Sequence, residues 1–382
     1  MGEIEQFGAK KPLRIALACG GTGGHIFPGL ATAEELVKRG HQVDLWLAGK
    51  DVEGDAVRGW QGPVFTVPSE GFSSGVSPKA IGTAFKLMGA AKRCVDVMKQ
   101  NQPEVLLGMG SYSSVGPVCA AMRLKIPFVL HEANVLPGRA VSLFSRWATS
   151  VAASFEETRY YLSRKDLVLT GMPMRKGLAE AALREPHHDL DPNCLTLLVM
   201  GGSRGARTLN QDVTQAVCEA HNLGHKVQVV HLSGKDDEAS VRAAYADAHV
   251  PGAVYSFTQD MAPIYAQCDL AICRSGAATC TELSAFGMPA LLIPYPYAAN
   301  DHQTANARAM EKIGAADVVP EKDVSVDWLK DYIAQCTIDT GRLARMSAAS
   351  KSRSVGRGAG ALADLVEKVG RGSSVEEVST AS

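Results

Sequence analysis

Several things are scarce or missing in this chain of 382 residues. It has nine cysteines, an odd number, and no Cys-x-x-Cys pair. That argues against both a disulfide framework and a zinc site, and points to reduced thiols. Formal net charge is −1, from 39 Lys+Arg against 40 Asp+Glu, so no global basic field exists to attract nucleic acid. No apolar stretch is long enough to span a bilayer. The run Leu13–Cys19 ends in glycines, a poor continuation for a signal peptide. The expectation is a chain that is soluble or at most attached to a membrane face. No Gly-Lys-Ser/Thr follows any glycine loop, which excludes a Walker A site.

One opening move is present twice. Leu13-Arg-Ile-Ala-Leu-Ala-Cys-Gly-Gly-Thr-Gly-Gly24 is an apolar run, a glycine loop and then a helix-like stretch. Leu195-Thr-Leu-Leu-Val-Met-Gly-Gly-Ser-Arg-Gly205 repeats it about 180 residues later. A buried strand feeding such a loop and helix gathers backbone N–H groups at the positive end of a helix dipole, a ready site for phosphate. The flanking segments alternate strand-like and helix-like, which implies βαβ units and parallel sheets. The fold expected is α/β, with two facing Rossmann-like domains and a cleft between them. With 46% hydrophobic residues each half can bury its own core. The divisions expected are 1–173, 174–347, a helix at about 348–370 packing back on the first domain, and a disordered tail at 371–382.

The first loop is not the dinucleotide fingerprint, because Ile26 stands where its third glycine belongs. His25 falls in the first helical turn, where the dipole disfavours imidazolium. It reads either as a general base for a hydroxyl nucleophile or as a residue packing the helix start. Gly108-Met-Gly-Ser-Tyr112 and His131-Glu-Ala-Asn134 follow strands and point to the same sheet edge. Farther on, Cys273-Arg-Ser-Gly-Ala-Ala-Thr-Cys-Thr-Glu282 places small residues at a helix start, with Ser275 as the expected cap and Gly287 as the stop. Glu282 reads either as a carboxylate for two ribose hydroxyls or as an ordinary solvated one. His187-His-Asp-Leu-Asp191 contains Asp-x-Asp but lies between prolines, so it reads as solvated linker; no obligatory metal and no cofactor are expected.

This constellation closely resembles the MurG family of peptidoglycan N-acetylglucosaminyltransferases, over roughly 13–365 and in the family's motif order. The resemblance implies a GT-B fold and inverting transfer of N-acetylglucosamine from its UDP donor to an undecaprenyl-linked muramoylpentapeptide. It implies that Thr22, Gly23 and Gly24 face the donor, with Asn134 near the sugar. Arg175 and Ser203 would meet the diphosphate, and Thr258 would meet uracil through its backbone. Ala277, Ala278, Thr279, Cys280, Thr281 and Glu282 would cradle diphosphate and ribose, and Gln303 would touch the sugar. Ala133, Met172 and Thr258 stand where the family often has Gln, Asn and an aliphatic residue. A lipid-linked acceptor also implies a docking patch on the anionic inner-membrane surface, at its cytoplasmic face, and a place among cell-wall synthesis enzymes. Lys79, Ile81, Phe85, Lys86, Met88 and Lys92 fit such a patch or, equally, an ordinary core-facing helix. Rival readings are a UDP-N-acetylglucosamine 2-epimerase, a glycolipid synthase moving hexose to diacylglycerol, and a noncatalytic nucleotide-sugar-binding scaffold.

Overall fold

The computed structural model describes residues 11–49, 51–67, 78–164, 166–184, 190–201, 206–354 and 358–372. The first half builds a seven-stranded sheet from β1 (Arg14–Ala18), β2 (Gln42–Leu47), β3 (Val64–Thr66), β4 (Val105–Gly108), β5 (Phe128–Glu132), β6 (Ser150–Ala153) and β7 (Leu167–Leu169). The strand order is β3-β2-β1-β4-β5-β6-β7 and every pairing is parallel. Its helices are α1 (Gly23–Lys38), α2 (Asp51–Ala56), α3 (Pro78–Asn101), α4 (Val115–Leu124) and α5 (Arg139–Phe144). The short α6 (Lys176–Ala181) leads out of it.

Strand β1 shows why both faces are covered. Ile15 and Leu17 enter the core under α1, whereas Ala16 and Ala18 enter the core shared with α3 and α4. A strand apolar on both sides is stable only between two helical layers.

The second half repeats the plan with β8 (Leu195–Met200), β9 (Val227–Leu232), β10 (Gly252–Tyr255), β11 (Leu270–Cys273), β12 (Ala290–Leu292) and β13 (Ala316–Val318). Their order is β10-β9-β8-β11-β12-β13, again all parallel. Leu197 and Val199 face α7 (Arg207–Asn222), α8 (Glu238–Asp247) and α12 (Val326–Ile338). Leu198 and Met200 face α9 (Ala262–Gln267), α10 (Ala277–Phe286) and α11 (His302–Lys312). Helix α12 has no counterpart among the sequence expectations. Its signal was present: Ser325 caps Trp328 N–H, and Leu329, Tyr332, Ile333 and Cys336 recur at helical spacing.

The helix expected at about 348–370 is two helices. Helix α13 (Thr340–Ser354) packs on α10 and α12, and α14 (Ala359–Gly370) packs on α1 and β4. Leu362, Leu365, Val366 and Val369 are buried among Leu13, Leu36 and Val105 of the first half. Arg39 adds hydrogen bonds to Asp364, Glu367 and the Gly360 carbonyl. All nine cysteines are free thiols. The tail beyond residue 372 lies outside the described residues.

Candidate active site

The carboxyl end of β1 delivers the chain to the start of α1, and the loop between them is tightly braced. Ser111 and Ser113, just past β4, both donate to the Gly20 carbonyl. Any Cβ at Gly20 would stand 2.4 Å from the Ala48 nitrogen, so only glycine permits this approach. From α2, the buried Glu53 accepts the N–H groups of Gly21 (2.7 Å), Ala48 (3.1 Å) and Gly49 (2.6 Å). The sequence reading missed Glu53. A carboxylate one short loop after β2 was its only signal.

Helix α1 then starts at Thr22 with no side chain capping its backbone. The Thr22 hydroxyl instead meets His25 Nδ1 at 3.0 Å, orienting the ring. Gly23 and Gly24 open the helix, where amides have no intrahelical acceptor. Beneath them lies β5. Burial pushes His131 down to about 4, and neighbouring His25 acts in the same direction. His131 Nε2 pairs with the Gly171 carbonyl at 2.9 Å. Burial pushes Glu132 up to about 6, although the Asn134 and Gly138 amides hydrogen-bond to it.

On the other half, α10 begins at Gly276, again without a side-chain cap. Ser275 is not the cap expected: its hydroxyl is drawn inward and donates to the Gln303 carbonyl at 2.8 Å. The first-turn amides of Ala277, Ala278 and Thr279 are thereby left to a ligand or solvent. Cys280 departs from the expected cradle. Its side chain is fully buried and its N–H bonds to the Gly276 carbonyl, so it offers the site neither group. The Thr281 hydroxyl is spent on the Ala277 carbonyl, one turn back. Gly287 ends the helix with φ 62°, as the sequence predicts.

Glu282 is not an ordinary solvated carboxylate. Desolvation raises its pKa, against the pull of the Tyr265 hydroxyl, which donates at 2.8 Å, and of the Arg175 charge. It lines a cavity of 250 Å³ between the two halves, together with Gly23, Gly24, Arg175, Ala278 and Thr281. Arg175 spans the same gap: its guanidinium lies 5.4 Å from the Phe27 ring centre and donates to the Gln259 carbonyl at 3.3 Å. Thr258, in that neighbouring loop, closes a turn with the Asp260 amide.

Asn134 and Gln303 sit beside a junction that the sequence did not reveal. Asn306, fully buried on α11, accepts the Val135 N–H at 3.0 Å and donates to the Asn134 side chain (3.0 Å) and the Ser275 carbonyl (3.1 Å). Three groups, two from the first half's β5 exit and one from the α10 entry, meet on one amide. Gln303, one turn earlier, accepts the Tyr295 N–H. Its three-residue spacing from Asn306 was the available signal.

Ser203 and the Asp189 of Asp-x-Asp lie outside the described residues, as do the side chains of Lys79, Ile81, Phe85, Lys86 and Met88. The backbone of α3 is helical through 78–101, so positions 81, 85 and 88 share a face. Lys92 is exposed. Among the described residues no helix is long and apolar enough to cross a membrane, and no cluster of three or more His, Cys, Asp or Glu could hold a metal ion.

The glycosyltransferase family 28 N-terminal domain matches residues 15–153, and the family 28 C-terminal domain matches 196–361. A UDP-N-acetylglucosamine--N-acetylmuramyl-(pentapeptide) pyrophosphoryl-undecaprenol N-acetylglucosamine transferase of Syntrophotalea carbinolica is 36% identical, over 89% of this chain and 94% of its own. An enzyme of the same name from Shewanella sp. is 37% identical over 87% and 91%. In three dimensions, MurG of Acinetobacter baumannii superposes with a TM-score of 0.78 at 28% identity, covering 94% of this chain and all of that one. A UDP-GlcNAc 2-epimerase from Neisseria meningitidis, bound to UDP-GlcNAc, shares the fold alone: TM-score 0.62 at 13% identity, over 93% of this chain and all of its own. Two family 28 domains, GT-B neighbours and full-length relatives together establish that the chain belongs to the MurG family of N-acetylglucosamine transferases.

Proposed function

We propose that this chain transfers N-acetylglucosamine from UDP-N-acetylglucosamine to the muramoyl 4-hydroxyl of an undecaprenyl-diphospho-muramoylpentapeptide. The observation that carries the reading is the pair of uncapped helix starts, α1 and α10, at one cavity with Arg175 and Glu282, in a chain of this family. Helix starts and an arginine are matched to a diphosphate.

In the proposed reaction the 4-hydroxyl oxygen attacks the anomeric carbon and the bond to the β-phosphate oxygen breaks. The configuration inverts in that single displacement. His25 takes the hydroxyl proton, its ring held by Thr22. Charge grows on the departing UDP and is met by the amides of Gly23, Gly24, Ala277, Ala278 and Thr279, with Arg175 and Ser203. Glu282 accepts from the vicinal ribose hydroxyls, and Tyr265 keeps it oriented. Asn134 and Gln303 contact the sugar, and the Thr258 backbone meets uracil. No metal ion is needed in this scheme, because helix ends and arginine supply the positive field.

We assign donor binding to the unit 174–347 and the acceptor to 1–173. The α3 face with Ile81, Phe85 and Met88 docks on anionic lipid, placing the enzyme at the cytoplasmic face of the inner membrane. Other cell-wall synthesis enzymes are its expected neighbours there. Charge reversal at Lys79, Lys86 and Lys92 abolishes binding to anionic liposomes if that face docks; unchanged binding rejects it.

The deciding assay is transfer of radiolabelled N-acetylglucosamine to lipid I in detergent with EDTA present. Labelled lipid II is expected. No product, with or without added magnesium, would overturn the activity.

A further inference from the structure

The second sheet has another opening at its amino edge, on the far side from the start of α10. There the chain entering β8, β9, β11 and β12 surrounds a cavity of 620 Å³, larger than the 250 Å³ gap between the halves. Its size falls within the roughly 300–1,000 Å³ typical of small-molecule sites. Tyr265, Phe286 and Met288 supply apolar wall, and the two rings stack with centroids 5.0 Å apart. Arg184, Lys226 and Lys351 supply three cations. Among the described lining residues Asp269 is the one carboxylate, and it already accepts the Thr196 N–H at 2.8 Å. Apolar walls with a net positive lining select an apolar body carrying a negative head.

This cavity touches the donor site through two connected parts. The Tyr265 ring forms its wall, and the Tyr265 hydroxyl is the donor to Glu282. Helix α10 runs from Ala278 in the interdomain cavity to Phe286 and Gly287 in this one, about 12 Å at 1.5 Å per residue. A molecule packed on the Tyr265–Phe286 stack therefore bears on the same phenol that orients Glu282.

We propose that this cavity binds an amphiphilic anion, an apolar body with one carboxylate or phosphate head, and that its occupancy tunes donor affinity through Tyr265 and α10. The coupling rests on the reading of Glu282 as a ribose contact; the binding site itself does not. Coupling of this kind requires that the occupant contact the two arrangements of the Tyr265–Glu282 pair unequally.

The test uses the full chain and the fluorescent anion 1-anilinonaphthalene-8-sulfonate, with UDP binding followed by calorimetry. One saturable site is expected. Ala344→Trp, at an exposed lining position of α13, and the pair Arg184→Gln/Lys226→Gln should each weaken the dye at least tenfold. Saturating dye should change UDP affinity at least threefold. Tyr265→Phe should keep dye affinity within twofold while abolishing that change. Dye binding that is unsaturable, or indifferent to both sets of variants, overturns the site. Binding without a change in UDP affinity overturns the coupling. Failure of UDP to bind the wild-type chain without dye instead rejects the donor reading, and the dye titration is untouched by it. Displacement by octyl phosphate but not by phosphatidylglycerol vesicles assigns a soluble occupant, whereas displacement by the vesicles assigns a membrane lipid.

Discussion

The two helix starts at the interdomain cavity are built differently. The start of α1 is braced from three directions: Ser111 and Ser113 hold the Gly20 carbonyl, Glu53 holds three loop amides, and Thr22 holds His25. The start of α10 is left open. Ser275 turns away to Gln303, no side chain caps Gly276, and the Glu282 carboxylate sits two turns in under a tyrosine. A proton acceptor must be aimed, and aiming requires a rigid frame. A diphosphate binder needs unsatisfied donors, and these must be kept from the protein's own oxygens. The first end is thus organised around geometry and the second around vacancy and charge.

The sharpest test of that contrast is His25→Ala. Turnover is expected to fall by about 10²–10⁴-fold, the usual range for a lost general base, while UDP affinity stays within a few-fold. Near-normal turnover in steady-state assays would remove His25 from the reaction. Glu53→Ala comes next, because it strands three loop amides at once. A loss of about 2–4 kcal/mol is expected in urea unfolding, with turnover falling more than donor affinity. An unchanged midpoint would mean the loop is not held by this carboxylate.

Asn306→Ala probes the seam between the ends. It leaves the Val135 N–H and the Ser275 carbonyl unpaired, so about 1–3 kcal/mol of stability should go. Loosening of Asn134 should raise donor KM as well. Asn306→Asp retains an acceptor for Val135 and is expected to recover part of the stability but not the bond to the Asn134 oxygen.

The smallest expected effect belongs to Glu282. Burial raises its pKa, so the folded protein protonates it at higher pH than an exposed glutamate. Only the carboxylate accepts from both ribose hydroxyls. Donor KM should therefore rise as pH falls from neutral through that raised value, by about tenfold at most. Glu282→Gln should start with the weakened affinity and show a flatter KM–pH profile, with kcat little changed. An equally steep profile in the variant would place the titrating group elsewhere.

Much of this architecture was legible in local pattern. Leu13–Cys19 and Leu195–Met200 are apolar on both sides, which only parallel strands between two helical layers can satisfy. The first glycine loop leads into α1 as its pattern predicts, and Gly287 marks the end of α10. Helix α12 was not among the sequence expectations although its stripe of Leu329, Tyr332, Ile333 and Cys336 is regular, because no glycine loop leads into it. Cys280 was placed in the cradle by its position within a motif, and helix geometry instead turns it into the core.

The sequence by itself determined the two-sheet plan, the family and the candidate residues near each glycine loop. These follow from periodicity and from motifs whose partners lie within a few residues. Only the tertiary structure decided that Glu53 and two serines brace the first loop, that Asn306 joins the halves, that Ser275 leaves α10 uncapped, and that Tyr265 stands between two cavities. Each depends on side chains brought together from distant segments. Hydrogen bonding falls off within a few tenths of an ångström, so the spacing of residues along a chain carries no record of such meetings.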